Sequence, residues 1–106
     1  MKQGELVLLD FPYADGTGSK WRPAVVLSNQ GYNRHANVLL AGLYGKRQPF
    51  SVRITNDDMQ HGRLRKLSHI SLQNIFSADK SFVQHVVAAI SRRKLQQVLA
   101  EVRKCF

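Results

Sequence analysis

The chain has 106 residues, 43% of them apolar and 22% charged, the size and composition of one globular domain spanning residues 1–106 rather than of a disordered tail. Sixteen Lys and Arg against seven Asp and Glu give a formal net charge of +9 and a pI near 10.3. Such an excess draws polyanions, so nucleic acid or an acidic protein leads the list of partners.

Residues 5–12, "ELVLLDFP", read as a strand stopped by Pro12, and "YADGTGSK" as a glycine-rich loop. Pro23 fixes its own φ and biases Arg22 toward extended backbone, so "RP" reads as the mouth of a buried strand, "AVVLS", closed by the turn "NQGYN". "NVLLAGLY" is a further apolar strand in which Gly42 marks a bulge or a close backbone approach. "SVRIT" alternates at period two, whereas "NDDMQHGRLRK" has no period and reads as a loop. "LSHISLQNIF" alternates until "ADKS" breaks it, and "VQHVVAAI" is a last strand rich in β-branched residues. The period then changes: Leu95, Val98, Leu99 and Val102 form one helical stripe over 91–104, with Ser91 as N-cap and the charges of "RRK" at 92–94 directed to a partner. The elements predict a small, strongly curved antiparallel sheet closed by one helix.

The lone cysteine, Cys105, cannot form an intrachain disulfide or complete a cysteine-based zinc site. His35, His61, His69 and His85 lack ligand spacing, and there is no Walker-type or complete dinucleotide motif, so no metal or nucleotide cofactor is expected. No secretory leader and no run of about 20 apolar residues stands out, so a cytoplasmic chain is expected. What remains is arginine chemistry. Arg22, beside a rigid proline, can hold a planar fork suited to phosphate. It can equally pair with Asp10 or Glu5, and the residues alone leave the two readings level.

"GELVLLDFPYADGTGSKWRPAVVLSNQGYN" resembles the opening of the MazF/PemK (Kid-like) family of toxin ribonucleases, with its glycine-rich loop, "RPAVVLS" block and Asn-containing turn. The similarity runs on through "VLLAGLY" and "SHISLQNIFSADKSFV" to the terminal helix. It implies an SH3-like barrel with a C-terminal helix and a homodimer. It also implies metal-independent, sequence-preferring cleavage of single-stranded RNA by 2′-hydroxyl attack, leaving a cyclic phosphate, and an acidic cognate antitoxin. Arg22 matches the family's catalytic arginine. The family's catalytic threonine position is occupied by Tyr44, and Phe76 stands where many members carry a basic residue. The resemblance places RNA contacts at Lys20, Ser28, Asn29, Lys46, Arg47 and Asn74. Because tyrosine replaces threonine, a catalytically weak module that binds RNA or antitoxin stays open beside the enzyme, as does a gyrase-type protein poison.

Overall fold

The computed structural model describes residues 1–12 and 15–106, positions 11 and 12 by backbone alone. Seven strands, β1 (Glu5–Pro12), β2 (Ser19–Val26), β3 (Asn37–Tyr44), β4 (Ser51–Ile54), β5 (Met59–Gly62), β6 (Ser68–Asp79) and β7 (Val83–Ile90), are joined by a one-turn helix α1 (Gln30–Asn33) and closed by helix α2 (Arg92–Arg103). All neighbours are antiparallel, in the order β4-β6-β3-β2-β1-β7-β5. Laid flat, such a sheet would hold its edge strands about 29 Å apart. The edges β4 and β5 are joined through only the 3₁₀ turn Asn56–Asp58, and the five chain steps from Ile54 to Met59 reach at most about 18 Å. The sheet must therefore curl on itself, as the expected barrel requires.

Alternation along the strands sorts the apolar side chains into two clusters on opposite faces. One gathers Leu6, Val25, Ala41, Ile54, Ile70 and Ile90, and the other Val7, Leu9, Ala24, Val26, Val38 and Leu40. Helix α2 seals the first, with Val98 fully buried in it and Leu95 and Val102 packed alongside. Leu99, expected in the same stripe, lies at its flank and is only half-buried. Ser91 caps the helix by accepting the Lys94 backbone N–H at 3.2 Å. Lys94 lies 3.8 Å from Asp58, so of the "RRK" charges this one is spent inside the fold, while Arg92 and Arg93 stay exposed.

Three further expectations change. β2 begins at Ser19, so Arg22–Pro23 lies inside the strand and not at its mouth; Tyr13 and Ala14 of the expected loop lie outside the described residues. The ladder from β2 to β1 runs through Pro23, whereas the ladder to β3 begins only at Ala24, as expected where a residue has no N–H to donate. The aperiodic stretch contains β5, an edge strand paired to β7 whose residues are largely exposed. β6 extends through "AD", and the break comes one step later: Asp79 accepts the Ser81 N–H at 2.8 Å and caps the 3₁₀ turn Lys80–Phe82. That hydrogen bond holds the Asp79 carboxyl below the usual carboxylate range. No helix among the described residues is long and apolar enough to cross a membrane.

Candidate functional site

At the end of the second apolar face the sheet opens into a small pocket of about 60 Å³ lined by Arg22 and Pro23 of β2, Gly42, Leu43 and Tyr44 of β3, and Asn74 and Phe76 of β6. Strand geometry assembles it. Arg22 shares a face with Ala24, and Tyr44 with Leu40 and Gly42, because side chains alternate. Carrying the Ala24–Gly42 register two residues onward would set Arg22 opposite Tyr44. Where pairing between β2 and β3 stops, the strands can part and leave a cleft between a guanidinium and a phenol.

Arg22 is exposed, and among the described residues it takes part in neither ion pair, these being Lys94–Asp58 and Lys104–Glu101. The alternative pairing with Asp10 or Glu5 fails for a geometric reason. Asp10 is opposite Trp21 and Arg22 opposite Leu9, so the two charges leave opposite faces of the sheet. Glu5 instead accepts the Lys2 backbone N–H at 2.5 Å. Among the described residues no carboxylate pairs with Arg22, so its guanidinium can face an outside anion.

Tyr44 is half-buried, and its hydroxyl oxygen accepts a hydrogen bond of 2.7 Å from Asn74 Nδ2. Gly42 makes the contact possible: a Cβ there would lie 2.4 Å from Asn74 Nδ2 and 3.1 Å from Tyr44 Cε2. Of the two readings at Gly42, the register shift between Ala41 and Leu43 gives the bulge, while what comes close is a side chain of the neighbouring strand and not backbone.

The other expected contacts divide. Lys20 lies on the same strand face as Arg22, about 6.6 Å along. Lys46 and Arg47 are exposed on the segment that follows Tyr44, outside the pocket lining. Ser28 requires correction as an RNA contact: it is buried, its hydroxyl donates to Asn33 Oδ1 and accepts the Leu39 N–H at 3.0 Å, so both functions serve the fold. Asn29 caps α1 by accepting the Tyr32 N–H and lines a separate groove of about 620 Å³ with Lys2, Gln3 and Arg92. The structure does not bring it to Arg22. Lys66 belongs to no motif or period in the sequence. Its ammonium would stand 2.8 Å from a Cβ added at Gly45, which puts an exposed cation beside the residue that follows Tyr44. The contact links residues 21 positions apart, with β4 between them, and no local pattern announces it.

Comparison with known proteins narrows what this arrangement is. The profile of the PemK-like, MazF-like toxins of type II toxin–antitoxin systems matches residues 2–106. The chain belongs to this family. Solved structures agree in fold. A mycobacterial endoribonuclease in complex with its cognate antitoxin is 19% identical, with a TM-score of 0.72 over 98% of this chain and 90% of that one. The MazE–MazF structure (Form-III) from Deinococcus radiodurans is 20% identical, with a TM-score of 0.74 over 99% and 94%. The Mycobacterium tuberculosis toxin MazF-mt6 is 16% identical, with a TM-score of 0.67 over 91% and 90%. A comparison with curated protein sequences found no significant match. The expected family and its mainly antiparallel β-fold with a C-terminal helix are both found.

Proposed function

We propose that this member of the toxin family is a metal-independent endoribonuclease that cuts single-stranded RNA, acts as a homodimer in the cytoplasm and is held by an acidic antitoxin. The observation that carries the reading is a pocket lined by both Arg22, which has no ion pair among the described residues, and Tyr44. RNA supplies its own nucleophile, so the protein needs to orient the chain, move protons and stabilise charge. The ribose 2′-oxygen attacks the adjacent phosphorus, forming the O2′–P bond as the P–O5′ bond breaks, and the 2′-proton leaves to water. Arg22 forks onto the non-bridging oxygens, where negative charge builds. Tyr44 donates its proton to the departing 5′-oxygen and recovers one from water. The products are a cyclic phosphate and a 5′-hydroxyl end. Lys20, Lys46, Arg47 and Lys66 hold neighbouring phosphates, a contribution that weakens with salt. The net charge of +9 also suits an acidic antitoxin, and relatives solved as endoribonuclease–antitoxin and MazE–MazF structures support that partner.

Incubating the purified chain with a long RNA in EDTA and mapping the ends tests this proposal. Discrete cuts bearing 5′-hydroxyl ends support it. The tyrosine at the threonine position favours a second reading, an RNA- or antitoxin-binding module. A gel shift without cuts would put that reading in its place, and inhibition of DNA supercoiling without RNA binding would favour a protein poison.

A further inference from the structure

We propose that Asn74 positions Tyr44 for proton transfer and is not itself a contact to RNA. The inference rests on the ribonuclease reading above and deepens it. It begins in the strand register. β3 and β6 pair as Ala41 with Ile75 and then as Leu43 with Ile70, so the four residues Ser71 to Asn74 stand against the single residue Gly42. Such a bulge bends its strand and re-aims a side chain. Here it swings the Asn74 amide over the glycine, into the space that any other residue at position 42 would fill.

The direction of the resulting hydrogen bond matters. Asn74 Nδ2 donates to Tyr44 Oη at 2.7 Å. A phenol has one proton and accepts through its oxygen lone pairs, whereas the amide nitrogen only donates. With an N–H aimed at its oxygen, Tyr44 must point its own O–H away from Asn74. Arg22 lines the same pocket, so the free proton and the phosphate-binding fork share one small space. The contact also anchors the far end of a long side chain. Tyrosine carries its oxygen several ångströms beyond the reach of a short hydroxyl residue, and a displacement of about 1 Å at a reacting atom can cost about a hundredfold in rate. A glycine that admits the amide, a bulge that delivers it and a bond of the required direction together locate the phenol.

The test is a double-mutant cycle on full-length protein, with single-turnover cleavage and RNA affinity measured for each variant. Asn74→Ala should slow cleavage about 10- to 100-fold with affinity changed less than about threefold, and in a Tyr44→Phe background it should cause no further loss. Asn74→Asp keeps the side-chain shape, but its carboxylate accepts the phenol proton and turns it from the pocket. This variant should melt like the wild type and cut at least as poorly as Asn74→Ala. Wild-type rates in Asn74→Asp would overturn the inference. So would multiplicative losses in the double variant, or a loss confined to affinity, because Asn74 would then act independently of Tyr44. A Tyr44→Phe variant that cuts normally overturns the positioning role while leaving the ribonuclease reading standing. A wild type that binds RNA without cutting it overturns both.

Discussion

Gly42→Ala separates the architecture of the pocket from its chemistry. Gly42 has no left-handed backbone requirement, since the glycines with positive φ are Gly4, Gly16, Gly18 and Gly62 among the described residues. Alanine therefore fits the local chain, and replacing glycine within a strand gains about 0.5–1 kcal/mol. Against this stands a Cβ only 2.4 Å from Asn74 Nδ2 and 3.1 Å from Tyr44 Cε2. The nearest atom is the tip of a partly buried side chain, which can rotate aside at the cost of one hydrogen bond, about 0.5–1.5 kcal/mol. The two contributions nearly cancel, so the midpoint of denaturant unfolding should correspond to a change within about 1 kcal/mol. Cleavage should nevertheless fall by as much as in Asn74→Ala, because both substitutions remove the same anchor from Tyr44. Chemical denaturation and single-turnover cleavage on the same preparation decide the matter. An unfolded protein, or one that cuts at the wild-type rate, would refute the account of Gly42 as the cradle of the amide.

Val98→Ala removes the equivalent of two methylenes from a fully buried site and should cost about 2–3 kcal/mol, whereas Leu99→Ala, at a half-buried flank, should cost about 1 kcal/mol or less; equal melting shifts would contradict the placement of α2. Ser28→Ala should destabilise by about 1–3 kcal/mol, because Asn33 and the Leu39 N–H lose a buried partner, while RNA affinity stays unchanged; a selective loss of affinity in gel shifts would return Ser28 to the RNA surface. Gly62→Ala should cost at least about 2 kcal/mol by thermal melting. Gly62 combines φ +78° with a Cβ position 2.6 Å from the Ala88 backbone, which cannot move aside as a side-chain tip can; an unchanged melt would contradict the pairing of β5 with β7.

Much of the fold was legible because burial writes a period into the chain. β1, β3 and β7 match the apolar runs closely, and α2 follows its stripe and its Ser91 cap. β5 left no such mark. Its exposed residues form a strand only because β7 offers an edge to pair with, and edge pairing is a property of the partner. β2 starts earlier than Pro23 suggests, because a strand can continue past proline when one neighbour is absent there. At the site, Arg22 and Tyr44 were legible through their motif. The bond from Asn74 to Tyr44 was not, since it depends on a register shift opposite Gly42 that alternating polarity cannot reveal. The burial of Ser28 depends on α1 folding back to present Asn33, and local spacing carries no sign of it.

The central claim is that Arg22 stabilises charge at phosphorus. Its most direct test compares wild type with Arg22→Lys in EDTA, on one RNA, at one salt concentration, with cleavage rate and binding measured together. The account predicts discrete cuts with 5′-hydroxyl ends for the wild type. For Arg22→Lys it predicts a loss of about 10²–10³-fold in rate, because an ammonium cannot reproduce the planar fork, while binding weakens only slightly, affinity being spread over many phosphate contacts. A lysine variant that cuts like the wild type, or a wild type that binds RNA and leaves it intact, would contradict it.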